Sequence, residues 1–404
     1  MNYIEKGSKE FRKANAALFA GGFCTFAVLY STQPILPYLS KEFNISPTTA
    51  SLSLSVTTIS LAISLLIVGS LSEALGRKSV MTFSMFSASI LAMLTAFVPS
   101  FHYLIVLRIL QGFVLSGLSA IAMAYLGEEI EEKSLGIAMG MFISGNSLGG
   151  MFGRITIGIF TDLFNWRIAL CSIGALSLIS SVLFYVQLPP SKHFTPRTLN
   201  MKKLTKSMVN HLKNSNLLCL FITGFLLLGC LVSLYNYIGF QLIAPPYSLS
   251  PTLVSFIFVL YLCGTFSSTW MGHLADNYGK QKVLRIAFLI MLTGIGITLS
   301  INIALKILGI ALLTFGFFGG HSIASSWVGH LASHDKAQAS SLYLFFYYIG
   351  SSVGGTSAGT FWTNYGWIGV VGLIISFILI AFIVSTKLPK DKAYEIHKAE
   401  KTNL

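Results

Sequence analysis

Three ionisable side chains interrupt long apolar runs in this sequence: Arg108, Arg154 and His321. A charge at the centre of a bilayer costs about 2.5–3.5 kcal/mol on insertion scales, so such a residue is functional or is held by a partner. An arginine can grip a carboxylate or phosphate with two parallel bonds. An imidazole can take and release a proton near neutral pH. The chemistry open to this set is therefore reversible binding of an organic anion or a proton. Gln111 lies one turn from Arg108 on the same face. Asn146, Gly150 and Arg154 share one stripe at i, i+4 and i+8. Each candidate has a structural alternative. Arg108 can snorkel to headgroups or be held by carbonyls. Arg154 can pair with a loop acid such as Asp162 or Glu42. His321 can be satisfied by a neighbour.

Covalent chemistry finds no support. All 14 acidic residues fall in loops, tails or the ends of apolar runs. Paired carboxylates, a metal-binding His cluster and a nucleophile motif are lacking, so no catalytic residue, metal or cofactor is expected, and the chain does not read as an enzyme. Cys24, Cys171, Cys219, Cys230 and Cys263 all lie inside apolar runs with no CxxC spacing. They read as small buried hydrophobes. The phosphate-cradling GxxxxGK[ST] loop is absent, which makes an ion gradient, by default the proton gradient, the expected energy source.

The elements that position these residues follow from composition. Only 10% of the 404 residues are charged and 54% are hydrophobic, and mean hydropathy is +0.73. A soluble domain carries about 25% charged residues, so the solvent of this chain is lipid. Windows of membrane-spanning length fall near 14–38, 50–71, 79–99, 101–125, 135–159 and 166–187, then near 215–240, 252–273, 281–301, 304–329, 339–361 and 365–386. They lack the alternation of a barrel. The expected fold is an all-α membrane protein with twelve transmembrane helices in two six-helix bundles. The first window is too long for a signal peptide and remains as helix one.

The net charge of +13 does not mark a nucleic-acid binder, because of where it lies. With the N-terminus inside, 22 of the 27 basic residues fall in cytoplasmic stretches. This positive-inside pattern places both termini in the cytoplasm of a multi-pass protein of the cell membrane, plasma or inner. One inner loop dissents, with Glu128, Glu129, Glu131 and Glu132. Acidic residues contribute little to orientation, so the assignment stands.

The chain divides as 1–187, a first bundle; 188–214, a basic cytoplasmic linker; and 215–404, a second bundle with a cytoplasmic tail. The halves repeat. GSLSEALGRKSV at 69–80 matches GHLADNYGKQKV at 272–283. Gly69, Glu73, Gly76 and Arg77 meet Gly272, Asp276, Gly279 and Lys280 in that alignment. GNSLGG at 145–150 matches GSSVGG at 350–355, and Leu29-Tyr30 matches Leu234-Tyr235, both at an offset of 205. Gly145, Gly149 and Gly153 form a close-packing stripe, mirrored by Gly350 and Gly354. Gly76 suits a tight turn, and Glu73 can pair with Arg77 or Lys78. Gly69 would let the second helix approach a neighbour. Paired six-helix repeats are a transporter signature, with the substrate site between the halves.

These residues carry a family resemblance. GSLSEALGRKSV is similar to the loop 2–3 signature of the major facilitator superfamily. LRILQGFVLSG at 107–117 resembles its helix-four signature, and TQPILPYL at 32–39 the proline-containing end of helix one in its twelve-helix, proton-driven drug and sugar efflux group. The likeness covers essentially the whole chain. It implies a latch built from Gly69, Glu73, Gly76, Arg77 and Lys78, and from Gly272, Asp276, Gly279 and Lys280. It implies that the helix-four Arg108 serves proton coupling or substrate orientation. It also implies a cavity lined by helices one, four, seven and ten, which Tyr30 and Tyr235 can reach; aromatic core packing is the rival reading for both. The sequence departs from the family pattern in places. Glu73 stands where an Asp is usual, and Ala74 where a basic residue is common. Gly150 and Arg154 stand where the efflux group has Pro and Gly.

The expectation is a secondary transporter that exports a small organic molecule by alternating access, coupled to a proton and working as a monomer. A second version is uptake or exchange of an organic anion, motivated by two helix-embedded arginines and the lack of a deep carboxylate. A channel or receptor is a different class, and a static pore needs no latch in both halves.

Overall fold

The computed structural model describes residues 3–194 and 201–389. The expected cytoplasmic tail beyond 389 and linker residues 195–200 lie outside this range. The described chain is helical; its β feature is an isolated bridge between Ile4 and Ile130. Ten helical stretches among the described residues are long and apolar enough to cross a membrane. One of these bends into two arms at Gly366, where φ is +60°. The basic-led helix Lys280–Ile297 is outside the ten. Counting both arms and this helix gives the twelve crossings read from the sequence.

The contacts divide the chain into two compact units. The first comprises Met1–Asn200 and Leu242–Phe258, the second Met201–Gln241 and Val259–Leu404.

The first unit contains α1 (Lys9–Leu29), α2 (Leu36–Glu42), α3 (Pro47–Leu75), α4 (Arg77–Leu94), α5 (Phe101–Glu129), α6 (Glu132–Leu163) and α7 (Trp166–Gln187). Its glycines mark where helices touch. Cβ atoms on Gly145 and Gly153 would come within 2.5 Å of Phe19 O and 2.7 Å of Ala27 Cα, and one on Gly149 would fall on the Phe23 backbone. The stripe expected from sequence is thus the seam between α6 and α1. Leu18, Met85, Leu118, Tyr125 and Phe184 pack together in the core. Large apolar side chains such as Phe83 and Tyr185 stay exposed, as lipid contact demands.

The first crossing is broken, where the sequence window 14–38 suggested one helix. α1 ends at Leu29, a 3-10 turn covers Gln33–Ile35, and α2 follows. Pro34 and Pro37 lack the N–H groups that would continue the ladder.

The second unit contains α8 (Met201–Lys213), α9 (Ser215–Ile243, counted here to Gln241), α11 (Tyr261–Tyr278), α12 (Lys280–Ile297), α13 (Ile303–Leu331) and α14 (Lys336–Thr386). α10 (Pro251–Ser255) lies in the segment that packs with the first unit, where Ser255 meets Gly158 of α6. The window 252–273 is likewise interrupted by a 3-10 turn at Phe256–Leu260. In the second unit Gly350 and Gly354 press on the backbones of Phe225 and Gly229. That α14–α9 seam repeats the α6–α1 seam of the first unit.

Candidate functional site

Arg154 is 1% exposed and projects from α6 to the broken end of α1. Its Nε donates to Gln33 Oε1 at 2.7 Å, and a terminal nitrogen donates to Gly150 O. Its guanidinium lies 4.1 Å from the ring centroid of Tyr30 and 4.9 Å from that of Phe258. Gly150 makes room for it: a Cβ there would lie 3.2 Å from the guanidinium nitrogen. Arg154 therefore joins Tyr30 and Gln33 in one buried polar and aromatic cluster. The two acids considered as its partners have contacts of their own. Glu42 pairs with Arg167 at 2.7 Å, and Asp162 accepts from Thr252 N at 3.4 Å.

Asn146, two turns before Arg154, has a buried Oδ1 with no hydrogen-bond partner among the described residues. It stands against Gly22, where a Cβ would collide with it. Such an acceptor is available to a donor on a ligand or a water.

Arg108 is fully buried, and its fork is engaged. Nε donates to Ser53 O at 2.8 Å, NH2 to Leu29 O at 2.6 Å, and NH1 to Val28 O at 3.0 Å and Gln111 Oε1 at 2.8 Å. Of the alternatives open from sequence, capture by carbonyls is the arrangement present. The cation sits on the last carbonyls of α1 and shares that of Val28 with Ser31.

Within the second unit, His321 Nδ1 is 2.9 Å from Tyr343 Oη. Its ring stacks on Tyr347 at 4.5 Å and faces Phe317 at 6.0 Å. Tyr235 Oη is 2.9 Å from Thr314 Oγ1, and its ring meets Tyr261 edge-on at 5.1 Å.

In the charged loop of the first unit the expected Arg77–Glu73 pair is present at 3.9 Å, beside closer partners. Gly76 and Gly279 hold φ of +92° and +88°, the region that requires glycine, and each opens the following helix. Arg77, however, is held chiefly by Glu128, through contacts of 3.1 and 2.7 Å, and by Ser72 Oγ. Glu73 is 3.9 Å away and 40% exposed. Lys78 Nζ donates to Leu188 O. A Cβ on Gly69 would meet nothing within 4 Å, so no close approach explains that glycine; its carbonyl accepts from Ser72 Oγ and Arg77. Gly272 likewise has only an ordinary 3.8 Å neighbour, Ser322 Oγ. Asp276 and Lys280 flank the turn at Gly279, and the next residue, Gln281, donates to Ser385 O and Leu388 O at 2.9 Å each.

Two of the four glutamates in the acidic loop that dissented from the charge pattern have basic partners. Glu128 takes Arg77. Glu129, 1% exposed, accepts from the backbone N–H of His193 at 2.9 Å and meets its ring at 3.2 Å. Glu128, Glu129 and Gln33 were missed as site residues. The signal for the first two was an acidic run in an otherwise basic set of loops.

Helices of membrane length in two units, each with a glycine-turned charged loop between its second and third crossings, define a multi-pass membrane transport protein. The chain belongs to the Major Facilitator Superfamily, whose profile matches residues 18–247 and 232–403. It is similar to the uncharacterized MFS-type transporter YybF of Bacillus subtilis strain 168, with 54% identity over 97% of each chain. It is similar to the inner membrane transport protein YnfM of Escherichia coli K12, with 46% identity over 96% of this chain and 93% of that one. The multi-drug resistance efflux pump PmrA of Streptococcus pneumoniae matches at 26% identity over 66% of this chain and 68% of its own. Among solved structures, the nucleoside transporter NupG superposes with a TM-score of 0.75 at 15% identity, covering 92% of this chain and 98% of that one.

Proposed function

We propose that this transporter exports a small organic molecule from the cytoplasm by alternating access, coupled to an inward proton flux. The reading is carried by His321, an imidazole enclosed by Phe317, Tyr343 and Tyr347 with its Nδ1 on the Tyr343 hydroxyl. It is a group able to exchange a proton inside helices whose sequence lacks a central carboxylate. The likeness to PmrA supports efflux as the direction. The positive-inside pattern supports a cell-membrane location with both termini cytoplasmic, and the protein works as a monomer. Arg77 with Glu128 in the first unit, and the Asp276–Lys280 turn in the second, serve as latches that break and re-form during the cycle.

A second reading is favoured by the Arg154 cluster. A guanidinium flanked by Tyr30 and Phe258 and steadied by Gln33 suits a planar organic anion, taken up or exchanged with protons.

Reconstitution into proteoliposomes tests both. Organic anions, lipophilic cations and neutral compounds would be followed under pH gradients of either sign. Uphill flux that reverses with the gradient and collapses with a protonophore is expected. Gradient-independent equilibration of every compound would sink proton coupling. Accumulation of anions alone, along the gradient, would select the second reading.

A further inference from the structure

A cavity of about 540 Å³ opens where α4 begins, between that helix, the end of α7 and the chain that follows it. Its lining includes Lys78, Ser79, Thr82, Phe83, Tyr185 and Ser191. We propose that it binds the phosphate-bearing headgroup of an anionic phospholipid.

Three independent features point to an anion with an apolar tail. The first is a pair of hydroxyls. Thr82 Oγ1 and Ser191 Oγ are buried and have no hydrogen-bond partner among the described residues. Buried donors are almost always satisfied, and both line this one cavity. Turned toward the cavity, each hydroxyl would donate to a phosphate oxygen.

The second is charge. Arg77 and Lys78 line the cavity, and among the described residues no carboxylate does. Arg77 is committed to Glu128 and Ser72. Lys78 donates to Leu188 O and lies 5.4 Å over the Tyr185 ring. An ammonium carries three donors, so this carbonyl leaves two for a ligand. α4 is 18 residues long, and its N-cap Gly76 supplies no side-chain bond to the opening amides, which favour an anion at the same mouth.

The third is the wall. Phe83 is 68% and Tyr185 57% exposed. They flank the cavity at one end of membrane-crossing helices, where acyl chains begin. Free phosphate shares the headgroup chemistry but makes no use of this wall.

The test is the thermal midpoint of the purified full-length protein in detergent. It would be titrated separately with phosphatidylglycerol, phosphatidylcholine and glycerol phosphate. A ligand of the folded state raises the midpoint. Phosphatidylglycerol is expected to raise it by about 3 °C more than phosphatidylcholine does. Thr82→Val with Ser191→Ala should at least halve that excess; Lys78→Gln should also reduce it, and Lys78→Arg should keep it. Native mass spectrometry of the wild-type protein provides a measure independent of variant folding, and should show phosphatidylglycerol retained over phosphatidylcholine. Equal effects of the two lipids in both measurements would overturn the site. So would an undiminished excess in a folded double variant. An equal rise with glycerol phosphate would overturn the lipid assignment in favour of a free phosphate.

Discussion

Arg108 and Arg154 hold neighbouring residues at one helix end. Arg108 donates to Leu29 O at 2.6 Å, and Arg154 lies 4.1 Å over the ring of Tyr30. The end of α1 is therefore clamped by two arginines from two other helices, α5 and α6. Their situations differ. Arg108 makes four hydrogen bonds, three of them to backbone carbonyls. Arg154 is flanked by aromatic faces and an amide.

Arg108→Ala should therefore act on the fold as well as on transport. It strips buried carbonyls of a shared donor, at a cost of about 2–4 kcal/mol. Arg108→Lys should recover little, because a point charge cannot reach four acceptors spread around a planar fork. Thermal unfolding in detergent would measure this. A normal midpoint with dead transport would move Arg108 from architecture to coupling.

Arg154→Ala should leave the folded yield closer to wild type, since Arg154 holds the Gln33 amide and two aromatic rings where Arg108 holds backbone carbonyls of two other helices. If it contacts substrate, the stabilisation that organic anions give the wild-type protein should vanish in this variant. Stabilisation by lipophilic cations that persists in Arg154→Ala would make the residue structural.

Gly149→Ala tests the α1–α6 seam. The new methyl would fall on the backbone of Phe23. Backbone cannot swing aside as a side chain can, so a loss of about 1–3 kcal/mol or more is expected. Gly140 lies on the same helix with nothing within 4 Å of its Cβ position. Gly140→Ala should be neutral or gain up to about 1 kcal/mol from helix propensity. Paired thermal midpoints decide this, and equal effects would remove the seam from the account.

Much of this was legible in the sequence because hydrophobic length and repeat spacing are local signals. Twelve crossings, the glycine turns and the packing stripe all follow from them. The partners were harder to read. Arg77 finds Glu128 across 51 residues, and no spacing rule reaches that far. The nearer Glu73 does pair at i, i+4, but at 3.9 Å, while Glu128 and Ser72 enclose the guanidinium. The break after Leu29 was half written in Pro34 and Pro37. What stabilises it is Arg108, which arrives from another helix.

The Arg77–Glu128 pair predicts a measurable coupling. A double-mutant cycle with Arg77→Gln and Glu128→Gln should return about 1 kcal/mol, the upper range for partly exposed pairs, because two contacts and Ser72 fix the geometry. The matching cycle with Glu73→Gln should return a few tenths. A larger coupling to Glu73 would make the i, i+4 pair the stronger of the two.

The last prediction concerns acid. His211 of α8 is 2% exposed, and its ring stacks on His334 at 4.7 Å. Beside them Asp335 accepts from Ser207 Oγ at 2.7 Å and meets His334 at 3.4 Å. Burial first, and the His334 charge second, hold the His211 imidazole below its ordinary value of 6.5, against an upward pull from Asp335. The undocked helix then binds the proton more readily than the docked one. Docking is therefore strongest above about pH 6.5 and weakens as pH falls through that value. Limited proteolysis around 201–213 should accelerate between pH 7.5 and 5.5, and His211→Gln should flatten the dependence while leaving the rate at pH 7.5 nearly unchanged. Acceleration of the same size in His211→Gln would assign the effect to His334 and Asp335 instead.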